Sequence, residues 1–303
     1  MKFTKMHGCG NDYIFINEFE ETIGENREAL VRNMSDRNKG VGGDGVIFIK
    51  PCTGADFEME MYNADGSRGE MCGNGVRCVA KYVYEKGMTD KREILIKSCG
   101  RLIYLFLIVE SDNENLYNSS NVLSENCYAR KVRGLVRRVR VNMGAPEFEP
   151  DKIPVTECEY RERAVKEPIQ VAGKMYEMTC VSMGNPHAVI FVEDLKNFPV
   201  EKVGPWFENH PRFPRRTNVE FVEVLDSSTI SIRVWERGTG ETLACGTGAC
   251  AALVASVLTG KADRSAEIKL NGGVLQVEWS PEDNHVYKEG PAEFVFDGVW
   301  PDE

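Results

Sequence analysis

The chain has 303 residues, which at roughly 150 per domain suggests two domains, each long enough to bury a core. Its 37 Lys and Arg are outnumbered by 47 Asp and Glu, and a formal net charge of −10 argues against the basic field of a nucleic-acid binder. No apolar run reaches the ~18 residues of a membrane span, and Met1 to His7 hold no apolar leader core. The ten cysteines are therefore expected as reduced thiols in a cytoplasmic protein without nucleic-acid or membrane partners.

Taken in order, Phe3 to Asn17 reads as two strands around a turn at Gly8-Cys9-Gly10-Asn11-Asp12. Apolar residues at 30, 31 and 34 predict a short helix over Arg27 to Met34. Gly40-Val41-Gly42-Gly43-Asp44-Gly45 opens a strand over Val46 to Ile49; it lacks the Gly-x-Gly-x-x-Gly order and a strand follows it, so it reads as a turn rather than a phosphate cradle. Phe57 to Tyr62 alternates as a strand, and 63–67 is a turn. A helix then starts at Cys72 and runs to about Lys86, with Gly87 just past its end. Two strands over 93–109 break at Ser98-Cys99-Gly100. The polar stretch 110–127 reads as a long exposed loop, and the basic run 130–140 as a solvated strand or loop.

The second half begins near Gly144. Strands are expected over 176–183 and 188–192 around a turn at Gly184-Asn185-Pro186-His187, a helix over 200–208, and strands over 217–224 and 228–236. A second helix starts at Cys245 and ends near Leu258, with Gly260 after it; strands and turns complete the chain.

The two cysteine-initiated helices carry the same signature. Cys72-Gly73-Asn74-Gly75 is echoed by Cys245-Gly246-Thr247-Gly248, 173 residues later. Other blocks keep that offset within a residue: Gly10-Asn11 with Gly184-Asn185, Asp44 with Asn218, Asn63 with Glu236, and Ile96-Lys97 with Ile268-Lys269. The pattern implies internal duplication: two pseudo-symmetric α/β halves, each wrapping strands around a central helix, with Cys72 and Cys245 facing one another.

A thiol at a helix mouth ionises more easily, because N–H groups and the helix dipole favour negative charge there. Buried apolar thiols account well for Cys78 and Cys250, on helix faces, but poorly for Cys72 and Cys245 with their flanking glycines. Zinc is disfavoured without Cys-x-x-Cys or clustered histidines, so no metal is expected. A structural disulfide conflicts with the compartment. The remaining reading is a thiol/thiolate pair acting on opposite faces of one carbon, one removing a proton and the other supplying it. The Gly-Asn and Gly-Thr dipeptides present N–H donors where a carboxylate could sit. Asn11, Asn63, Asn74, Asn185 and Asn218 add amides, and Glu236-Arg237 adds groups for an ammonium and a carboxylate. His187 is either a turn residue or a support for a cysteine.

At these residues the chain resembles the diaminopimelate epimerase family. The motifs are His7-Gly8-Cys9-Gly10-Asn11-Asp12, Asn63-Ala64-Asp65-Gly66-Ser67, Cys72-Gly73-Asn74-Gly75, Gly184-Asn185-Pro186-His187, Arg216-Thr217-Asn218-Val219-Glu220 and Glu236-Arg237-Gly238 through Gly248, spread over nearly the whole length. The resemblance implies an isomerase that interconverts LL- and meso-diaminopimelate in lysine and peptidoglycan precursor synthesis, without a cofactor and usually as a homodimer. It makes Cys72 and Cys245 the acid/bases, and His187 and Glu236 are expected to support them. It makes Asn11, Asn63, Gly73, Asn74, Asn185, Asn218, Glu236, Arg237, Gly246 and Thr247 substrate-binding. It also implies that the last strand, within 289–303, returns to a first half of residues 1–139, with 140–288 as the second half. Some members carry Gln where Gly45 stands, so no side-chain contact is transferred to that position. The alternatives are a racemase of another amino acid such as histidine, relatives of proline-racemase or phenazine-isomerase character, and a non-catalytic thiol or metal module.

Overall fold

The computed structural model describes residues 1–24, 26–69, 72–110, 134–158 and 162–301. Apart from Glu110, the expected polar loop over 110–127 lies outside the described residues, as does the start of the basic run after it.

The first half begins with a hairpin, β1 (Lys2–Gly8) and β2 (Asn11–Asn17). Its loop is Cys9-Gly10 with φ of 56° and 80°, the positive values of a type I′ turn whose twist suits antiparallel strands. α1 (Arg27–Ser35) crosses to β3 (Gly45–Lys50), which lies parallel to β2, and β4 (Phe57–Asn63) returns antiparallel. α2 (Gly73–Glu85) crosses to β5 (Glu93–Ser98), parallel to β4, followed by β6 (Arg101–Glu110) and β7 (Leu135–Asn142).

The second half repeats this plan behind one extra strand, β8 (Glu167–Val171). β9 (Lys174–Ser182) and β10 (Pro186–Phe191) form the hairpin, and α3 (Val200–Glu208) crosses to β11 (Asn218–Asp226). β12 (Thr229–Glu236) and the short β13 (Gly240–Thr242) lead to α4 (Gly246–Leu258), then β14 (Ser265–Leu270) and β15 (Gly273–Trp279). β16 (Val286–Gly290) and β17 (Glu293–Val299) end the described chain. The parallel pairings correspond: β10 and β11 are parallel like β2 and β3, and β12 and β14 are parallel like β4 and β5.

The seam between the halves is a strand pair. β7 and β16 run antiparallel, with Val141 opposite Lys288. From there β7 leads on to β8, which edges the second half against β9, while β16 leads to β17, which edges the first half against β1. The last strand, β17, thus pairs with the first, β1. The positions 139/140 and 288/289 fall inside β7 and β16, the strand pair that joins the halves. β8 and β13 are not expected from the sequence, and Pro186 and His187, expected in a turn, open β10.

The two central helices are capped alike at both ends. Cys72 and Cys245 are the N-caps, in extended conformation, and each sulfur accepts the N–H of the glycine three residues on. At the other end, Gly87 and Gly260 both have φ of 72°, and the next residue's N–H returns to a carbonyl five residues back: Met88 to Val83 and Lys261 to Ser256, both at 2.8 Å. α4 is apolar around most of its girth and buried over 248–256, as a helix at the centre of a strand wrap must be. α2 is buried as deeply but includes Arg77 and Lys81. Their polar ends reach carbonyls of crossing strands and segments: Arg77 to Pro291 O at 3.1 Å and Lys81 to Val136 O at 2.7 Å.

Candidate active site

The N-termini of α2 and α4 open into one cavity of about 1290 Å³ between the halves. That exceeds the 300–1,000 Å³ of an ordinary ligand pocket, and the cavity is a cleft rather than a closed chamber. Every site residue expected from the sequence lines it except His187, which lies fully buried behind it.

On the α2 side, the half-buried Cys72 is 3.3 Å from Asn11 Oδ1, to which its thiol donates. Asn11 is anchored in turn, its amide donating to Asp44 Oδ2 at 2.7 Å. Asn74 donates to the same Asn11 oxygen and to the Ala244 carbonyl, both at 3.4 Å, so it spans the two halves. Tyr13, on β2, places its hydroxyl against the Cys72 sulfur. Burial and then the neighbouring Cys72 push that phenol well above its ordinary value, which keeps it a hydrogen-bond donor.

On the α4 side, Cys245 is buried. Burial, with the Glu236 and Glu220 carboxylates close by, raises its thiol well above the ordinary range. The resting Cys245 therefore holds its proton. A chain of polar contacts leads away from it: Cys245 Sγ to Thr247 Oγ1 at 3.4 Å, Thr247 Oγ1 to Asn185 Nδ2 at 3.3 Å, Asn185 Oδ1 to His187 Nε2 at 3.0 Å, and His187 Nδ1 to Glu220 Oε1 at 2.7 Å. His187 is thus held at both ring nitrogens and reaches the cysteine only through Asn185 and Thr247.

Glu236 accepts from the Thr242 hydroxyl at 2.6 Å and sits beside Cys245; burial raises its carboxyl above the usual range. Asn218 is largely committed to the fold. Its amide donates to Pro186 O at 2.8 Å, and its oxygen accepts the Arg237 N–H at 3.0 Å, which fixes the start of the loop that presents Arg237. Asn63, at the end of β4, donates to Ser67 at 3.0 Å.

The strand ladders correct one equivalence. Tyr13 pairs with Gly45, and the corresponding His187 pairs with Asn218. Asn218 is therefore the counterpart of Gly45, not of Asp44, and the offset in this strand is 173. A side chain at position 45 would meet the Tyr62 carbonyl oxygen at 2.0 Å from its Cβ, so the first half presents bare backbone where the second presents an amide. The same ladder makes Tyr13 and His187 equivalent, each standing behind its own half's cysteine.

Tyr13 lines the cavity, and Glu220 and Lys288 lie fully buried behind it; none of the three is singled out by the sequence. Alternation along Val286-Tyr287-Lys288-Glu289-Gly290 places Lys288 on the face of Val286 and Gly290, which is the signal that finds it. Among the described residues no group of three or more His, Cys, Asp or Glu is placed to hold a metal, all cysteines are free, and no helix is long and apolar enough to cross a membrane.

The arrangement can carry a proton across a bound carbon: two sulfurs, each at a helix N-terminus, share one cleft with amides and one buried carboxyl. Solved structures share the fold. The solved structure of a Bacillus anthracis phenazine biosynthesis protein of the PhzF family has the same fold, with a TM-score of 0.62 at 13% identity over 98% of both chains. So does a hydroxyproline epimerase from Agrobacterium vitis, with a TM-score of 0.61 at 15% identity over 98% of this chain and 90% of that one. In sequence, the chain is 49% identical to the diaminopimelate epimerase of Acetivibrio thermocellus over 98% of both proteins. It is 48% identical to that of Methanococcus maripaludis over 98% of this chain and 99% of the relative. The profile of the family described as Diaminopimelate epimerase matches residues 3–118 and 179–295, one segment in each half, and the chain belongs to that family.

Proposed function

We propose that the protein is an isomerase that inverts one α-carbon of diaminopimelate, interconverting the LL and meso forms with Cys72 and Cys245 as its two acid/bases and without a cofactor. The observation that carries this reading is that both cysteines of the repeated motif cap their helices in the same way and line one cleft. The resting Cys245 thiol is the acid in the direction in which Cys72 is the base, and the roles reverse in the other direction. The Cys72 thiolate takes the α-proton from one face. The electron pair passes into the α-carboxylate, and the Cys245 thiol delivers its proton to the other face. The centre is inverted, and the next turnover in this direction requires the two sulfurs to exchange protonation states.

The α-carbon is a far weaker acid than a thiol, so the carboxylate that takes up the charge must be stabilised. The N–H groups of Gly73-Asn74 and Gly246-Thr247 at the paired helix starts are the donors for it. Glu236 takes the ammonium. Asn11, Asn63, Asn185, Asn218 and Arg237 hold the rest of the molecule, Asn218 chiefly by fixing Arg237. His187 and Glu236 support Cys245. Reduced sulfurs are required throughout, which suits the cytoplasm.

Incubation with LL-diaminopimelate in D2O, without pyridoxal phosphate and after dialysis against a chelator, tests the reading. The expected result is the meso isomer carrying deuterium at the inverted Cα. Absence of exchange, or activity restored only by pyridoxal phosphate or a metal, would overturn it. Comparable turnover of lysine or histidine would replace it with a broad racemase.

A further inference from the structure

Lys288 on β16 is fully buried, and its ammonium has no hydrogen-bonding partner among the described residues. It points at both helix mouths at once. A Cβ on Gly73 would lie 2.3 Å from Lys288 Nζ, and a Cβ on Gly246 would lie 2.2 Å from it. The ammonium therefore occupies the space that a side chain at the first residue of either helix would fill, which is a physical reason for glycine after both cysteines. The strand neighbours of Lys288 are Val141 on β7 and Val277 on β15, both apolar and buried. The titratable and charged groups facing it are Arg77 and Cys72 from α2 and its cap, and Cys245 and Cys250 from α4 and its cap. Arg77 is itself buried and bonded to neutral acceptors: Pro291 O, Gly73 O, Asn74 Oδ1 and Cys9 Sγ. Among the described residues, no carboxylate forms an ion pair with either cation.

Two adjacent buried cations and two helix N-termini, without a paired anion, make a seat for negative charge. We propose that Lys288 is a positioning cation for the α-carboxylate of the substrate and for the charge that passes onto it as the α-proton leaves. It acts from behind the first peptide of each central helix. The inference rests on the two-cysteine reading above. The pseudo-symmetry gives it a single copy: its counterpart across the seam is Val141, so one ammonium serves both helix mouths.

Burial and the neighbouring Arg77 lower the Lys288 ammonium to about 8. The charge is present below that pH and lost above it, and a bound carboxylate moves the transition upward. The test is Lys288→Met, which keeps length and removes charge, assayed across pH 6.5–10 by Cα deuteration of LL-diaminopimelate. Relative to the unaltered protein, kcat/KM is expected to fall about tenfold or more near pH 7, with the deficit shrinking toward none above about pH 9, since one lost charge-assisted interaction is worth on the order of a factor of ten. A ratio constant across pH, or near one throughout, overturns the proposal, because a packing role would not follow the ammonium's titration. Should Lys288→Met not fold, side-chain NMR of labelled lysine in the unaltered protein decides. A lysine signal titrating near pH 8 and shifted upward by substrate is expected; no substrate-responsive lysine signal in that range overturns it. Absence of turnover in the unaltered protein would instead count against the epimerase reading.

Discussion

Cys72 and Cys245 have the same backbone and cap the same kind of helix, yet their surroundings differ. Cys72 meets an amide oxygen that accepts from it and a phenol that can donate, whereas Cys245 is buried beside two carboxylates. Each sulfur is therefore expected to serve one face only. Cys72→Ser and Cys245→Ser should each lower epimerisation by at least the 10²–10⁴ typical of a general acid or base, roughly, since inversion needs both. An analogue with a leaving group at Cβ needs only one base to eliminate, and the two variants should prefer opposite stereoisomers of it. Near-normal epimerisation in both, or the same isomer preferred by both, would sink the two-base mechanism. At the same scale, Lys288 predicts a conflict between stability and activity. The folded state holds it at about 8 against an ordinary 10.5, so below about pH 8 the fold carries the full cost of a buried charge. As pH rises from 8 toward 10.5, the unfolded chain keeps the proton that the folded one has released, and stability rises. Lys288→Met should thus stabilise the fold by roughly 3 kcal/mol at neutral pH, with the gain vanishing near pH 10.5, as read from denaturant midpoints. A destabilised or unchanged variant at pH 7 would refute this.

At the scale of elements, the two central helices owe their ends to local chemistry. Gly87 and Gly260 sit in left-handed conformation with open space where a Cβ would go. Replacing either with Ala should cost about 1 kcal/mol, from backbone conformation alone, and leave kcat/KM unchanged. A markedly larger loss would mean a packing role that the open space rules out. The glycines at the other ends are of another kind. Gly75 and Gly248 are closed in by the Ile47 side chain and the Glu220 carboxylate, at 2.5 and 2.6 Å from a would-be Cβ. The two glycines of each Cys-Gly-x-Gly thus answer to different neighbours, the first to Lys288 and the second to its own half.

For the whole molecule, β7 with β16, β17 with β1, and the bond from Arg77 to Pro291 tie each half to the other. Unfolding in denaturant should follow one transition, with far-UV dichroism and activity lost together, although each half repeats a complete strand-wrapped helix. Two separated transitions would show that the halves are stable alone. Ending the chain after Gly290 removes β17 and the Pro291 acceptor, and should abolish the folded state of the first half.

Much of this architecture was legible in the sequence, for reasons that are local. Cys-Gly-x-Gly before an apolar run marks a capped helix because the cap is formed by adjacent residues. The common offset of Asn63 with Glu236 and Cys72 with Cys245 reveals duplication because both halves place the cysteine that caps the helix nine residues after the end of a strand. What only the tertiary structure decided depends on atoms brought together from distant segments. Asp44 was paired with Asn218 by offset, and the ladder moved the match to Gly45, since strand register follows hydrogen bonding and not a fixed count. Glu220 reads as a strand residue until His187 is found on the neighbouring strand. Lys288 lies 216 residues after Cys72 and 43 after Cys245, in a segment without a motif. Its meaning arises only where β16 passes beneath two helix mouths, because burial and the absence of a partner are properties of the packed molecule and not of the residue.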